Sequence, residues 1–332
     1  MGSHKPIRVG VVGVGHVGSL HAQVYAKLPG VRLVAVCDVN HTRAREVARR
    51  VHCQAVGDVQ ELGGLVDAVS LAVPTSAHHA VGLVLLDAGL HVLIEKPIAT
   101  TLAHADALLA AATRTGAIVQ VGHIERFNAA IQAAKAYLTH PRFIEAHRLS
   151  PYPFRGTDVS VVLDVMIHDL DLVLALLRAQ PSHIDALGVP VLSPSEDIAN
   201  ARLVFGTGCV ANLTASRVSD ERVRRIRLFQ EDGYLSIDYQ HQTVALVRKV
   251  RSSIQRRTLA VRRRPPLDEE LTAFMRAVRT TQRPLPPAQR SEAARRAGVS
   301  GEEARDALAL ALSIEQAMRR ARRSQKTVAG SP

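Results

Sequence analysis

The chain has 332 residues, enough for two domains, and its composition of 47% hydrophobic and 22% charged residues is that of a globular protein. A net charge of +12 raises nucleic acid as a partner, but the arginines are dispersed, aromatic residues are 3% and tryptophan is absent, so no base-stacking platform is expected. The apolar runs are too short or too charged to span a bilayer, and the N-terminus lacks a signal peptide's apolar segment, so no membrane partner is expected. Three scattered cysteines, Cys37, Cys53 and Cys209, lack metal-ligand spacing and indicate no metal site and a reducing cytoplasm.

A glycine-rich turn follows the first predicted strand, residues 8–12. It joins this strand to a helical stretch that starts near Ser19. Glycines in a G-x-G-x-x-G turn allow a tight bend, close approach of the backbone to a pyrophosphate, and close packing of helix on strand. The helix N-terminus offers unpaired N–H groups to the phosphates. The pattern predicts a dinucleotide site contacted by Gly13, Gly15, His16, Val17 and Gly18.

An acidic residue ends the second predicted strand, residues 31–37. Asp38 follows Gly18 by twenty residues, the spacing of the acid that binds the adenosine ribose 2′-hydroxyl. A carboxylate at this place would repel a 2′-phosphate, so NAD is favoured over NADP. Arg43 is close enough in sequence to keep NADP open as an alternative.

Strands and helices then alternate up to residue 125. Predicted strands at 68–73, 91–94 and 118–121 alternate with predicted helices at 79–88 and 102–113. This rhythm is typical of a parallel sheet covered by helices on both faces. Residues 1–125 are therefore predicted to form a Rossmann domain, a doubly wound parallel α/β sheet.

A charged pair closes the strand at 91–94. Glu95-Lys96-Pro97 follows the apolar run directly, and the carboxyl end of a strand is where ligands bind in an open α/β sheet. Burial and neighbouring groups can move the pKa of a lysine toward working pH. Lys96 is therefore a candidate catalytic residue.

The second half, residues 126–332, has a different rhythm. Predicted strands follow one another with few helices between them, at 143–149, 201–205, 209–215, 223–229, 234–239 and 243–247. Such an order predicts a large, mostly antiparallel open sheet, one face of which is a candidate surface for a homo-oligomer. Helices are predicted at 267–280 and 302–321, with a loop or insertion at 283–301. The last helix is expected to pack against the rest of the protein, and one alternative is that it packs near the first domain.

One apolar helical stretch carries an acid and a histidine. Asp164 and His168 are four residues apart and share a face of a predicted helix. A carboxylate beside an imidazole favours the imidazolium and orients the ring. The pair is a candidate for proton handling, while a structural hydrogen bond is the alternative.

These motifs, in this order, resemble the Gfo/Idh/MocA family of sugar and polyol dehydrogenases. The resemblance covers nearly the whole chain and implies a C-terminal α/β domain on a large open sheet. It implies that Lys96 holds the reacting hydroxyl, that His168 is the general base, that Asp164 orients it, and that the nicotinamide takes the hydride. It also implies cofactor contacts for Pro74, Thr75, His78, Glu95 and Lys96.

A narrower resemblance is to the subgroup of UDP-N-acetylglucosamine 3-dehydrogenases. It rests on residues 121–128, 162–169 and 211–217, with Ala129 and Val165 as mild departures. It implies a UDP-sugar substrate whose 3-hydroxyl becomes a ketone. It also implies a pathway aminotransferase that makes the 3-amino sugar of lipid A, and a homodimer or homotetramer.

Polar residues near these segments are candidates for binding a nucleotide sugar. Arginine pairs two phosphate oxygens at once, and hydroxyl or amide groups bind sugar and uracil. A surface or fold-supporting role is the alternative for each. The candidates are Arg126, Arg155 and Arg217 for the diphosphate, and Asn128, Tyr152 and Thr157 for the sugar or uracil.

Two rival functions stay open. The first is the same chemistry on another substrate: a nucleotide-sugar acid, a free sugar or an inositol. The second is a Rossmann protein that senses a nucleotide without catalysis, although such a protein would need neither Lys96 nor His168.

Overall fold

The computed structural model describes residues 5–152, 159–281 and 297–329. The chain divides into two compact units. One contains Met1–Ile124 and Pro265–Arg305, and the other contains Glu125–Arg264 and Asp306–Pro332. The first unit thus ends one residue before the predicted boundary and takes in a later segment of the chain.

Six parallel strands form the sheet of the first unit. In chain order they are β1 (Ile7–Val12), β2 (Val31–Cys37), β3 (Gln54–Val56), β4 (Ala68–Leu71), β5 (His91–Ile94) and β6 (Val119–Val121). Their order across the sheet is β3-β2-β1-β4-β5-β6, and every pair is parallel. This order confirms the predicted Rossmann sheet. It reverses between β1 and β4, where a crevice for ligands opens at the carboxyl ends.

Helices of the first unit connect these strands. They are α1 (His16–Tyr25), α2 (His41–Val51), α3 (Thr75–Asp87) and α4 (Leu102–Thr115), with a short 3₁₀ turn at Val59–Leu62. Two of them, α2 and α4, begin with side-chain caps, in which Asn40 and Thr101 accept the backbone N–H groups of Arg43 and His104. Helix α3 begins four residues before the predicted start, with Pro74 at its N-cap.

A helix from later in the chain completes the core of the first unit. Helix α7 (Pro266–Thr281) packs against β1, β2 and α1 through four buried side chains: Leu271, Phe274, Met275 and Val278. Acidic residues in its first turn suit the positive end of the helix dipole. The sequence predicted this helix at 267–280, but its place in the first unit is a finding of the structure.

An eight-stranded sheet forms the second unit. Its strands are β7 (Phe143–Leu149), β8 (Pro181–Val189), β9 (Ile198–Phe205), β10 (Val210–Ser216), β11 (Val223–Gln230), β12 (Gly233–Asp238), β13 (Thr243–Val250) and β14 (Ser253–Thr258). Their order is β14-β13-β12-β11-β7-β10-β9-β8. All pairs are antiparallel except β7 with β10. The mostly antiparallel sheet is thus confirmed.

One face of this sheet is buried and the other is open. Along β7 the residues Ile144, Ala146 and Arg148 are buried, and the residues between them are half-exposed. The buried face packs on α5 (Ala129–Lys135), α6 (Ile167–Leu177) and the long helix α8 (Gly301–Ala329). Among the described residues, no helix combines the length and apolar character needed to cross a bilayer.

The stretch before α6 departs from the prediction of one regular α-helix. Residues Val162–Met166 form a π-turn, in which Ile167 N–H donates to Val162 O, five residues back. Helix α6 follows directly. Single π-turns of this kind are frequent at functional sites. Of the predicted loop at 283–301, residues 283–296 lie outside the described part of the chain.

Candidate functional site

The glycine turn between β1 and α1 has the shape that a pyrophosphate requires. Gly13 has φ +81°, and a Cβ there would lie 2.6 Å from Ala72 O. A Cβ on Gly18 would collide with Gly13 O, whereas a Cβ on Gly15 would meet nothing within 4 Å. Gly13 and Gly18 therefore fix the turn, and Gly15 leaves open space at the N-terminus of α1. The residues present fit a dinucleotide.

Asp38 lies where β2 ends and braces the same turn. Its Oδ2 accepts the Val14 N–H at 2.8 Å, and its Oδ1 accepts the Asn40 N–H at 2.8 Å. The Arg43 Nη1 lies 3.8 Å from Oδ2, and the Arg43 side chain is half-exposed. The carboxylate is thus held beside the glycine turn, with the Arg43 cation beside it.

The other predicted cofactor residues surround the ends of β1, β4 and β5. His16 and Val17 are exposed in the first turn of α1, and Pro74 is exposed at the start of α3. Thr75 is half-buried. His78 is buried, with ring nitrogens 2.9 Å from Pro97 O and 3.0 Å from Val73 O. Burial lowers the pKa of His78, although these backbone contacts oppose the shift. His78 thus links the loop after β4 to the loop after β5.

Glu95 and Lys96 follow β5, and a buried histidine lies against the glutamate. His21 Nε2 is 3.2 Å from Glu95 Oε1, and the Lys96 N–H donates to Glu95 Oε2 at 3.3 Å. Burial would raise the pKa of Glu95, but His21 and Lys96 outweigh it and leave this pKa below its usual range. Lys96 itself is half-buried, and its peptide bond to Pro97 is cis.

Sequence reasoning did not select His21 or Glu270, which complete this cluster. Ligand atoms of His21, Glu95 and Glu270 lie within 4.8 Å of one another, and Glu270 comes from α7. A Cβ on Gly122 would lie 2.9 Å from Glu95 Oε1, so the backbone just after β6 also packs closely on the carboxylate. The available signal was the position of His21, three residues after Gly18 on the buried face of α1.

In the second unit, Asp164 and His168 belong to one helical segment. Asp164 lies in the π-turn and its N–H donates to Ser160 O at 3.1 Å, while His168 lies in the first turn of α6. Both residues are half-buried. The π-turn means that their four-residue spacing does not follow regular α-helical geometry.

Two predicted substrate residues, Arg126 and Asn128, are engaged by the protein itself. Arg126 makes a bidentate pair with Asp171, at 2.7 Å and 2.8 Å. Asn128 is buried, caps α5 through Ala130 N–H, and donates to Glu125 Oε2 and Tyr239 O. Tyr152 is half-buried. Arg155 and Thr157 lie outside the described residues.

The structure corrects the assignment of Arg217 to a substrate diphosphate. Arg217 is 1% exposed, and its Nε donates to Asp197 Oδ1 at 2.8 Å. Its other nitrogens donate to Val159 O, Ser193 Oγ and Ser195 Oγ. A guanidinium enclosed in this way supports the fold of the loop before β9 rather than a ligand.

Sequence comparisons identify both units. Residues 7–123 match the model of the Gfo/Idh/MocA oxidoreductase family, NAD-binding Rossmann fold, and residues 130–236 match the Gfo/Idh/MocA C-terminal domain. The chain is 44% identical to UDP-N-acetylglucosamine 3-dehydrogenase of Acidithiobacillus ferrooxidans over 239 residues, 72% of this chain and 76% of that protein. It is 26% identical to myo-inositol 2-dehydrogenase of Thermotoga maritima over 94% of this chain and 96% of that protein.

Solved structures match this chain over nearly its whole length. A crystal form of the Acidithiobacillus ferrooxidans enzyme has a TM-score of 0.85 and 38% identity, covering 94% of this chain and 97% of that chain. An inositol dehydrogenase homologue from Azotobacter vinelandii, complexed with NADH and myo-inositol, has a TM-score of 0.82 and 19% identity, covering 95% and 96%. At that identity the second comparison shows the fold alone.

Proposed function

We propose, because the chain belongs to the Gfo/Idh/MocA family of oxidoreductases, that it oxidises the 3-hydroxyl of UDP-N-acetylglucosamine with NAD. The observation that carries this proposal is the 44% identity to the UDP-N-acetylglucosamine 3-dehydrogenase of Acidithiobacillus ferrooxidans, across 76% of that enzyme's length. The bound nicotinamide would supply the hydride acceptor. The products are the 3-keto nucleotide sugar, the reduced nicotinamide and one proton.

The first unit supplies the dinucleotide site. Backbone N–H groups at the start of α1 would hold the pyrophosphate over Gly15, where a side chain would meet no neighbour. The Asp38 carboxylate would bind the ribose 2′-hydroxyl and repel a 2′-phosphate, which supports NAD over NADP. Pro74, Thr75 and the loop after β5 would border the nicotinamide end.

Three side chains would handle the proton. Lys96 would hold the reacting hydroxyl oxygen and favour its deprotonation, while His168 would take the proton as general base. Asp164 would orient the imidazole and favour its protonated form as the proton arrives. The hydrogen on the carbinol carbon would leave with its electron pair as hydride and the hydroxyl hydrogen would leave as a proton, so that the C–O bond would become the C=O bond of the ketone.

The substrate class follows from the same relative. Tyr152, Arg155 and Thr157 remain predicted contacts for the nucleotide sugar. The ketone product suits an aminotransferase, which would replace the carbonyl oxygen by an amino group for lipid A synthesis. A free sugar, a nucleotide-sugar acid or an inositol is the alternative substrate.

A substrate panel tests the proposal. The protein is incubated with NAD and with UDP-N-acetylglucosamine, its uronate, free N-acetylglucosamine and myo-inositol, and reduced nicotinamide is followed by absorbance. The pathway aminotransferase and glutamate are included so that an unfavourable equilibrium does not hide the product. Turnover of a free polyol without turnover of the UDP-sugar would reject this substrate.

The catalytic roles give a separate prediction. Lys96→Ala and His168→Ala should each lower kcat by about 10²-fold or more, because each removes a group that acts on the hydroxyl proton. NAD binding, measured by calorimetry, should stay largely intact in both variants, and within about twofold of wild type in His168→Ala. Undiminished kcat in both variants would refute these two roles, whereas NAD binding by the wild type without turnover of any substrate in the panel would favour the nucleotide-sensing alternative.

A homo-oligomer through the open face of the second sheet is a further part of this proposal. Three aromatic residues cluster on that half-exposed face. The ring centroid of Phe229 lies 5.7 Å from that of Phe143 and 5.2 Å from that of Tyr234. Aromatic groups on an open sheet face suit association between copies. A homodimer or homotetramer is expected in light scattering coupled to size exclusion, and a single monomer peak would contradict it.

A further inference from the structure

Two buried acids flank the histidine of α6. Asp169 is 2% exposed and Asp171 is 1% exposed, in a helix whose other inward residues are apolar. At 100° per residue, Asp169 lies about 100° around the helix from His168, and Asp171 lies about 60° away in the other direction. The histidine thus lies between two buried carboxylates around the helix axis.

Arg126 holds the carboxylate of Asp171. It comes from the 3₁₀ turn Ile124–Phe127, and its Nε and Nη2 donate to Asp171 Oδ2 and Oδ1 at 2.7 Å and 2.8 Å. Gln132 in α5 also donates to the Arg126 carbonyl oxygen. A fork of two parallel hydrogen bonds fixes direction as well as distance.

Arg148, on the buried face of β7, holds the carboxylate of Asp169. Its Nε and Nη2 donate to Asp169 at 2.9 Å and 3.0 Å, and its Nη1 donates to Glu125 Oε1 at 2.9 Å. Its guanidinium carbon lies 5.3 Å from the centre of the Tyr239 ring. Burial would lower the pKa of Arg148, but Asp169 and Glu125 raise it, so the charge is held in the core.

Stability alone does not account for such groups. Burying an ion pair costs desolvation free energy, and well-packed apolar side chains of similar volume often stabilise a fold as well or better. Two bidentate pairs add a fixed rotation of the helix about its axis and a fixed position along that axis. A misplacement of about 1 Å in a reacting group can cost about 10²-fold in rate.

We propose that Arg126 and Arg148 are positioning residues for the reaction, acting through Asp171 and Asp169 to fix the rotation of α6 and so the direction of His168. This inference rests on the proposed function, in which His168 is the general base. Neither arginine needs to touch the substrate for this role. The pair at Arg126 is the one to test, because Arg148 lies deeper and its loss threatens folding.

A double-mutant cycle tests the inference. Arg126→Lys keeps the charge but removes the fork, and Asp171→Asn is a second variant in case the first folds poorly. Each is expected to lower kcat about tenfold with KM within twofold. In a His168→Asn background the same change should lower the residual kcat less than twofold, because the residue it positions is gone. Equal losses in both backgrounds would overturn the proposal.

Arg217→Lys is the matched control, since Arg217 and Asp197 form another buried pair in the same unit. Its effect on kcat, of whatever size, should be the same in both backgrounds. A second measurement does not need turnover: in ¹⁵N-histidine NMR spectra, Arg126→Lys should shift the ring signals of His168, assigned through His168→Asn, and Arg217→Lys should not. Unshifted His168 signals in Arg126→Lys would overturn the positioning role even if another substrate were found.

Discussion

Asp38 both braces the glycine turn and is the proposed partner of the adenosine ribose. Its carboxylate already accepts the N–H groups of Val14 and Asn40, so the oxygens that would meet a ribose are oriented before a dinucleotide arrives. Arg43 lies beside it, half-exposed and 3.8 Å away. This arrangement predicts how cofactor preference changes when the acid is removed.

Asp38→Ala should lower kcat/KM for NAD about tenfold or more, the loss expected for a hydrogen bond to a charged group. The ratio of kcat/KM for NADP over NAD should rise, because Arg43 becomes available to a 2′-phosphate. Steady-state kinetics with both cofactors measure the change. Asp38→Ala combined with Arg43→Ala is the control, and it should lose the gain in NADP use. An unchanged ratio in Asp38→Ala would contradict this account.

Asp197 makes stability depend on pH. Burial would raise its pKa, but hydrogen bonds from Ser193, Leu192 N–H and Arg217 outweigh burial and hold the pKa far below its usual range. A depressed pKa in the folded state stabilises the fold above the unfolded-state value of about 3.9, and this contribution fades as pH falls below it.

The free energy of unfolding in urea should therefore fall from pH 6 to pH 3 more steeply in wild type than in Asp197→Asn. The variant should be less stable at pH 6, because it cannot accept the same charged hydrogen bonds. Asp185→Asn, at an exposed position in β8, is the control and should keep the wild-type slope. Parallel slopes in wild type and Asp197→Asn would argue against the assignment.

Single residues also show the limits of prediction from sequence. Asp38 and the three glycines were selected because their signal is local: a fixed spacing between a strand and a helix. Arg126 and Arg217 were selected as phosphate ligands, but each pairs with an aspartate 45 or 20 residues away in sequence. An arginine carries the same local signal for either partner, and only tertiary packing decides which one it meets.

In the turn between β1 and α1, two glycines have different roles that can be tested separately. Gly15 borders open space, whereas Gly18 faces the Gly13 carbonyl oxygen. A methyl group at Gly15 would thus occupy only the space proposed for the pyrophosphate. A methyl group at Gly18 would disturb the turn itself.

Gly15→Ala should leave the cofactor-free Tm within about 2 °C of wild type and raise the Kd for NAD at least about tenfold. Gly18→Ala should lower the cofactor-free Tm, by about 2–4 °C for each kcal/mol lost. Differential scanning calorimetry and isothermal titration calorimetry separate the two effects. Equal falls in Tm for both variants would contradict this division of roles.

Elements with their own apolar pattern were predicted well, and β7 was predicted to the residue. The strand β14 was missed because its sequence is mostly polar and all its residues are exposed, and β8 was missed because polar residues interrupt its apolar ones and only Gly188 is buried. These strands form because β9 offers backbone hydrogen-bond partners to β8 and β13 offers them to β14. That opportunity depends on the neighbouring strand and not on the sequence of the edge strand. The π-turn was missed for a related reason, since apolar spacing does not distinguish it from an α-helix.

The first unit is built from two separate segments of the chain, and its stability depends on both. Helix α7 follows the second sheet in sequence, yet Leu271, Phe274, Met275 and Val278 belong to the core around β1 and β2. Each such side chain contributes about 1.5–3 kcal/mol on burial. Together they are comparable with the net stability of a whole domain, about 5–15 kcal/mol.

A polypeptide of residues 1–124 should therefore lack a cooperative thermal transition and should bind the dye ANS. Joining residues 265–281 to it through a flexible Gly/Ser linker should restore cooperative unfolding in circular dichroism. The same fusion with Phe274→Asp is the control and should behave like 1–124 alone. A sharp transition of 1–124 without α7 would refute this view of the first unit.

The π-turn at Val162–Met166 has a consequence for protein engineering and for aligning relatives. Such a turn holds one residue more than the α-helical turn it replaces. Deleting a single residue there would let the backbone relax into ordinary helix at little cost in hydrogen bonds. Both kinds of turn complete about one revolution, so the chain on either side would keep its rotation about the helix axis, but side chains inside the turn, Asp164 among them, would change direction relative to His168. At this point of the chain, the number of residues constrains the chemistry as firmly as their identity does.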